Sequence, residues 1–193
     1  MAKLSPTLWR TCRILSGPTR LALLRLVIGT TDQTISDLAE HLELSMPRAS
    51  QELRRLQSRG LIQASRSGMT VIYHPTPDPL VSTAAPLLQA MKETFLRFPD
   101  SENDSTVRIA VGFSHTRRLL ILRLLQIGPM NTQTLENLSG MSRDALNRHL
   151  KILLTAHLVS RKGKQIHLDE NNSHPLALAL LSILKESPPP AAE

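Results

Sequence analysis

The sequence repeats itself at about half its length, and no other feature constrains the fold as strongly. Residues 44–62 read LSMPRASQELRRLQSRGLI and residues 141–159 read MSRDALNRHLKILLTAHLV, with serine second and leucine tenth and thirteenth in both. The preceding segments also match, since RLALLRLV at 20–27 corresponds to RLLILRLL at 118–125. Because about 100 residues suffice to bury a hydrophobic core, the repeat predicts two small, similar domains.

Both copies begin with the same two predicted helices. A continuously apolar helix spans 18–28 in the first copy and 116–127 in the second, and each is followed by a glycine. A short helix comes next and is predicted to open at Thr34 or Thr134. A threonine hydroxyl can accept a hydrogen bond from an unpaired backbone amide at a helix N-terminus.

The third predicted helix, 45–59 in one copy and 142–156 in the other, is amphipathic. Ser45 and Ser142 are good N-caps, and Pro47 lies in the first turn, where a missing amide is tolerated. The predicted apolar face consists of Ala49, Leu53, Leu56 and Gly60 in the first copy and Leu146, Leu150, Leu153 and His157 in the second. The opposite face is polar and basic in both copies.

A hairpin is predicted after each amphipathic helix. Residues 61–74 and 158–168 alternate between apolar and polar side chains around a tip that contains glycine, which is typical of a β-hairpin. Helix, short helix, turn, amphipathic helix and hairpin is the order of a winged helix-turn-helix domain, in which the hairpin is the wing. The predicted fold is therefore mainly α with small β-hairpin wings, in two tandem winged helix-turn-helix units.

The boundary between the copies is predicted where the apolar periodicity stops and turn-forming residues cluster in PDSENDST. Helices at 80–98 and 174–186 are expected to close the two units. The chain then divides into a first domain at 1–98, a linker at 99–106, a second domain at 107–187 and a disordered, proline-rich tail at 188–193.

The positive charge of the chain lies in the repeated segments. The net charge is +7, but residues 45–70 and 142–164 together carry +9, so the rest of the chain carries −2. A surplus confined to two equivalent helices and hairpins indicates a polyanionic partner. Arginine, lysine, asparagine, glutamine and serine on such helices can bind base edges and phosphates of DNA.

These faces define the candidate DNA-binding residues. Base contacts are expected from Arg48, Ser50, Gln51, Arg143, Asn147 and Arg148. Phosphate contacts are expected from Arg54, Arg55 and Lys151. The wings are expected to reach the backbone or the minor groove with Arg66, Arg161, Lys162 and Lys164. The set is completed by three residues at the N-termini of the two helices: Ser45, Pro47 and Ser142.

The sequence resembles the arsenic-repressor (ArsR) family of winged-helix transcriptional regulators. The likeness is carried by LSGPTRLALLRLV, TISDLAEHLELSMPRASQELRRLQSRGLI and RSGMTVIY in the first half, and by SHTRRLLILRLL and MSRDALNRHLKILLTAHLV in the second. Such regulators act as homodimers with one reading helix for each half of a two-fold related operator. The resemblance implies a double-stranded DNA-binding repressor whose two units form a covalent pseudo-dimer, with further homodimerisation open.

The resemblance does not extend to the metal sites of that family. Metal-sensing members carry a cysteine pair on the helix that corresponds to 35–42, and this chain has none there. Cys12 is its only cysteine and is expected to be a buried structural thiol. His174 and Glu186 lie too far apart to replace the family's carboxylate and histidine set. We therefore expect neither a metal nor another cofactor.

Several function classes are disfavoured. An enzyme is not expected, because the sequence lacks a glycine-rich phosphate loop, a nucleophile motif and metal-ligand spacing. No signal peptide or membrane-spanning run is apparent, and the single cysteine fits a reducing compartment, so a cytoplasmic protein without a membrane partner is expected. His149, Trp9 and Tyr73 are expected to pack in or beside the core.

The two reading helices differ, which bears on the operator. Pro47, Ser50, Gln51 and Arg54 correspond to aspartate, asparagine, arginine and lysine in the second copy. An imperfect or asymmetric operator is therefore expected. Two alternatives stay open: a tandem winged-helix assembly module, which predicts exposed apolar patches without a charge bias, and a plasmid replication initiator, which binds repeated sites.

Overall fold

The computed structural model describes residues 7–30 and 33–187. The helices of this part of the chain are α1 Leu8–Leu15, α2 Pro18–Gly29, α3 Ile35–His41, α4 Met46–Gln57, α5 Ala84–Arg97, α6 Asn103–Phe113, α7 Thr116–Ile127, α8 Thr132–Ser139, α9 Arg143–Thr155 and α10 Pro175–Glu186. The strands are β1 Gln33–Thr34, β2 Gln63–Ser67, β3 Thr70–His74, β4 Met130–Asn131, β5 Val159–Lys162 and β6 Gln165–Leu168.

The two units repeat one architecture. In the first, α2, α3 and α4 precede the hairpin β2–β3 and the closing helix α5; in the second, α7, α8 and α9 precede β5–β6 and α10. A two-residue strand pairs with the second strand of each hairpin, which gives the antiparallel sheets β1-β3-β2 and β4-β6-β5. The predicted fold class, two tandem winged helix-turn-helix units, is thus confirmed.

The halves share one hydrophobic core. Helix α1 of the first half packs against α6 of the second, and α5 of the first half packs against α10 of the second. The interface thus consists of two helix pairs, each with one helix from each half. Buried leucines and isoleucines of both halves, together with Phe113, form a single cluster of side chains. The chain is therefore a pseudo-dimer whose interface is made within one polypeptide.

The connection between the halves is more ordered than a linker at 99–106 implies. Helix α6 begins at Asn103, inside that stretch, and Thr106 is fully buried. Arg25 of the first unit holds the connection, with an ion pair to Asp100 at 2.6 Å and a hydrogen bond donated to the Asn103 Oδ1 atom at 2.7 Å. The polar residues of this segment form a short 3-10 helix, Asp100–Glu102, and the first turn of α6.

Helix starts follow the predictions in part. Thr34 caps α3 in a reciprocal arrangement with Asp37, because its hydroxyl accepts from the Asp37 amide and the Asp37 carboxylate accepts from the Thr34 amide. The prediction for Thr134 is wrong. Asn131 caps α8 instead, and its side chain accepts from the Thr134 amide at 2.8 Å. An asparagine oxygen serves this role as well as a threonine hydroxyl does.

The predicted apolar face of the second reading helix is wrong at one position. His157 is exposed, and its backbone is left-handed with φ of 51°. It occupies the place of Gly60, which has φ of 70° and ends the first reading helix. Both residues therefore terminate a helix, and only the glycine does so without a steric cost.

The single cysteine and one of the three predicted packing residues are buried, and the other two are half-buried. Cys12 is fully buried in α1, and this burial strongly raises the pKa of its thiol. Tyr73 is also buried, and His149 is half-buried. Trp9 is half-buried beneath the guanidinium of Arg10, which lies 5.1 Å from the ring centroid.

None of the helices in residues 7–30 and 33–187 is long and apolar enough to cross a membrane. The predicted tail at 188–193 lies outside the described residues.

Candidate nucleic-acid interface

The first reading helix, α4, presents a continuous polar surface to solvent. Its inner face buries Ala49, Leu53 and Leu56 against the core, so the residues between them point outward. A shallow surface cavity of about 880 Å³ runs along this outer side. It is lined by Ser45, Pro47, Arg48, Ser50, Gln51, Arg54, Arg55 and Ser58, which include all seven residues that the sequence singled out on this helix.

The first wing continues this surface. A second cavity of about 250 Å³ lies between α4 and the hairpin, and both Arg54 and Arg66 line it. Gly68, with φ of 62°, turns the chain at the wing tip beside the fully exposed Met69. The fold thus places the helical cation and the wing cation on one side of the unit, where both can approach the same polyanion.

A buried carboxylate divides the arginines of α4 into two kinds. Glu52 lies on the inner side of the helix and accepts from Arg20 at 2.7 Å and from Arg55 at 2.8 Å. Burial opposes ionisation of Glu52, but the hydrogen bonds and charges of the two arginines outweigh it and lower its pKa. Arg55 is therefore partly neutralised, whereas Arg54 has its full charge available for a ligand.

The sequence itself allows a local pair between Glu52 and an arginine of α4, because a glutamate three residues before an arginine on a helix is within reach of it. The contribution of Arg20, 32 positions away, arises only from the packing of α2 against α4.

The second reading helix, α9, follows the same design. Ala145, Leu146, Leu150 and Leu153 are buried, and Ser142 caps the helix by accepting from the Ala145 amide at 3.4 Å. The outward residues Asn147, Arg148 and Lys151 are exposed. Ser45, at the matching position of the first unit, makes no such side-chain bond. The two helices therefore start differently although both begin after a serine.

Arg143 is held by the neighbouring helix. Its Nε donates to Glu136 of α8 at 2.7 Å and its Nη2 donates to Gln133 at 3.2 Å, while 63% of its side chain stays exposed. The hydrogen bond and charge of Glu136 raise the pKa of Arg143. The guanidinium is thereby oriented at the start of α9, and part of its charge is balanced.

Histidines replace the buried carboxylate in the second unit. His149 stands where the first unit has Glu52, and its ring centroid lies 4.8 Å from that of His115. Burial, together with the charges of Arg117 and Arg118, lowers the pKa of both histidines, so they are neutral at pH 7. In the second unit the carboxylate that offsets a cation of the reading helix is therefore Glu136 of α8, whereas in the first it is Glu52 of α4 itself.

The second wing carries a denser charge than the first. Arg161 and Lys162 end β5, Gly163 turns the chain with φ of 61°, and Lys164 follows at the tip. All three cations are exposed. The position of Lys164 is occupied by Met69 in the first wing, so the two wings differ at their tips.

The pseudo-dimer contact leaves both reading faces open. It is formed by α1, α5, α6 and α10, whereas α4 packs on α2 and α3, and α9 packs on α6, α7 and α8. Of the sixteen candidate residues, fifteen are exposed and Ser50 is half-buried. Neither surface is covered by the other half of the molecule.

Among the described residues, no group of three or more histidine, cysteine, aspartate or glutamate side chains is placed to hold a metal ion. The described part of α3 carries no cysteine.

The family model for the bacterial regulatory proteins of the arsR family matches the chain twice, at residues 17–64 and at residues 115–161. Each match runs from the first helix of a unit, through its reading helix, into its wing. No curated protein matches the chain.

Proposed function

Since this chain belongs to the ArsR-like winged helix-turn-helix regulators of transcription, with two DNA-binding units in tandem, we propose that it is a repressor that reads one double-stranded operator with both units. One observation carries the proposal: two cationic helical faces, at equivalent positions of a fused pseudo-dimer, are both open to solvent.

The side chains divide into contacts that specify a sequence and contacts that fix the position of the protein. Arg48, Ser50 and Gln51 in α4, with Asn147 and Arg148 in α9, have the donors and acceptors that distinguish base pairs in the major groove. Arg143 completes that group and is already oriented by Glu136. Arg54, Arg55 and Lys151 lie further along the helices and face the phosphates, and the basic wings add backbone or minor-groove contacts.

The operator is asymmetric in this proposal. Gln51 and Arg54 of the first unit correspond to Arg148 and Lys151 of the second, and only the second has a cation at its wing tip. Unequal side chains read unequal half-sites. Their centres are expected about one helical turn apart (~10 bp), or a multiple of it, on one side of the duplex. Occupation of such a site blocks access of RNA polymerase.

Charge reversal on each face tests the proposal. The binding site is first obtained by selection from random double-stranded DNA. Arg54→Glu and Lys151→Glu are then each expected to weaken binding to it by roughly tenfold or more, because a favourable phosphate contact becomes a repulsive one. The double variant is expected to lose specific binding altogether, as measured by fluorescence anisotropy at fixed salt concentration.

The matched controls reverse exposed cations elsewhere. Arg97→Glu and Lys185→Glu change the charge by the same amount in the last turns of α5 and α10, away from both reading helices. They should bind DNA nearly as the wild type does, and all variants should unfold at similar urea concentrations. Normal binding by both Arg54→Glu and Lys151→Glu would show that the reading faces are assigned to the wrong surfaces.

A further inference from the structure

A surface groove lies between the interface helix α6 and the reading helix α9 of the second unit. Its volume is about 260 Å³, and it is lined by Arg108, Val111, Lys151, Ile152 and Thr155. Val111 and Ile152 are half-buried and form an apolar floor, whereas Arg108 and Lys151 are exposed at the rim. The groove therefore combines an apolar interior with two positive charges.

Neither rim cation is neutralised by the protein. In residues 7–30 and 33–187, the side chains of Arg108 and Lys151 have no ion-pair or hydrogen-bond partner. By contrast, Arg143 on the same reading helix is paired with Glu136. Two unpaired cations beside an apolar floor complement an anion that carries an apolar tail.

The first unit does not have this combination. By the alignment of the repeats, Val111 corresponds to Arg13 and Ile152 to Arg55, so two arginines replace the apolar floor. Arg55 is moreover engaged by Glu52. The rim cations themselves have counterparts in Arg10 and Arg54. The difference between the units thus lies in the floor, which is the part that would hold an apolar group.

We propose that this groove binds a small carboxylate with an apolar tail. Arg108 and Lys151 hold the carboxylate by charge-assisted hydrogen bonds, and Val111 and Ile152 contact the tail. The ligand is small, because the volume falls just below the range of about 300 to 1,000 Å³ that is usual for ligand pockets.

The position of Lys151 links this site to the proposed function. The same ammonium group cannot bind a ligand carboxylate and a DNA phosphate at full strength, so ligand and operator compete. Such coupling is reciprocal, because bound DNA lowers the affinity for the ligand by the same factor as bound ligand lowers the affinity for DNA. This link rests on the proposed DNA binding, whereas binding of the carboxylate itself does not.

Isothermal titration of the full chain without DNA tests the site, with octanoate and 1-naphthoate as probes and 1-octanol and octylamine as controls of charge. We expect one saturable carboxylate site per chain and no comparable binding of the neutral or cationic control. Arg108→Gln and Lys151→Gln should each weaken carboxylate binding by roughly threefold to fivefold. Ile152→Arg, which restores the residue type of the first unit, should abolish it. Arg10→Gln, at the matching position of the first unit, should leave it unchanged.

The proposal is overturned if neither carboxylate binds saturably, if octylamine binds as well as octanoate, or if Ile152→Arg binds like the wild type. A second titration in the presence of the selected DNA separates the two claims. DNA binding without carboxylate binding would refute the site alone. Carboxylate binding by a chain that binds no DNA would refute the proposed function alone. If both bind, their affinities should weaken each other by equal factors.

Discussion

His174 is a buried histidine at the junction of the two halves. Its Nδ1 atom accepts a hydrogen bond from the Leu176 amide at 3.2 Å, so in the neutral ring the proton lies on Nε2, which donates to the Thr106 hydroxyl at 3.2 Å. The ring also stacks on Phe98 with a centroid separation of 4.8 Å. Burial lowers the pKa of His174 to about 4. The folded protein therefore keeps this side chain uncharged at neutral pH.

We predict that His174 makes the fold sensitive to acid. A histidine in the unfolded chain has a pKa near 6.5, so below that pH the unfolded chain binds a proton at His174. The folded chain binds this proton only near pH 4, because the pKa of His174 is about 4 there. The free energy of unfolding therefore falls as pH drops through this window, by about 2 to 3 kcal/mol between pH 7 and pH 4.5. Above pH 6.5 the contribution to pH dependence vanishes.

His174→Asn isolates this effect, because asparagine can still cap α10 but does not titrate. Urea unfolding at pH 7 and pH 4.5 should show a smaller acid-induced loss of stability in the variant by about 2 to 3 kcal/mol. His115 and His149 contribute in the same direction in both proteins, so they cancel in the comparison. An equal loss in wild type and variant would contradict the account of His174.

The ends of the reading helices form a matched pair of elements. Gly60 and His157 occupy the same place after α4 and α9, and both have a left-handed backbone. A Cβ atom on Gly60 would also meet the Asp78 Cβ at 2.9 Å and the Val81 Cβ at 3.0 Å. The first helix end thus depends on glycine, and the second tolerates a side chain at a steric cost.

Opposite effects on stability are predicted for the two exchanges. Gly60→Ala should lower the free energy of unfolding by about 1 to 2 kcal/mol, because the left-handed conformation is unfavourable for L-residues with a Cβ. His157→Gly should raise the free energy of unfolding by up to about 1 kcal/mol, because glycine adopts the left-handed conformation without a steric cost and the exposed imidazole contributes little packing. Urea unfolding at one fixed pH measures both. Stabilisation by Gly60→Ala would be incompatible with the helix end described here.

The elements that sequence patterns predict are those with a strong period or a strong turn signal. The amphipathic helices α4 and α9 and the two wings fall within their predicted limits or close to them, because apolar spacing and glycine turns are local properties. The strands β1 and β4 are not predicted, since two residues show no alternation. Their pairing with β3 and β6 is set by the packing of the unit.

For the candidate site, the sequence predicts which face of each reading helix is exposed, and no more. Sequence spacing indicates which side chains of α4 and α9 point away from the core, but not which charges are neutralised. Arg143 is bound by Glu136 seven residues earlier, across the turn between α8 and α9, and Glu52 is bound by an arginine 32 positions away. These contacts depend on how neighbouring helices pack against each other, and the spacing of apolar residues within one helix does not determine that packing.

At the scale of the whole molecule, the charge distribution predicts a strong dependence of DNA binding on salt. The candidate set contains ten cations on two reading helices and two wings, and the chain as a whole carries +7. If some six to ten phosphates are contacted, displaced counterions should weaken operator binding by about 10³ to 10⁵ between 50 and 200 mM salt. Anisotropy titrations over this range measure the slope. A nearly flat dependence would indicate that the basic surfaces do not face the duplex.

Hydroxyl-radical footprinting of the selected DNA site, combined with the mass of the complex in solution, tests most directly whether both reading faces of one chain engage one duplex. One chain should protect two half-sites of different sequence, with centres ~10 bp or a multiple of that apart. Arg54→Glu should remove protection mainly from one half-site, and Lys151→Glu mainly from the other. A perfect palindrome occupied by two chains, each protecting one half through the same reading helix, would contradict the account.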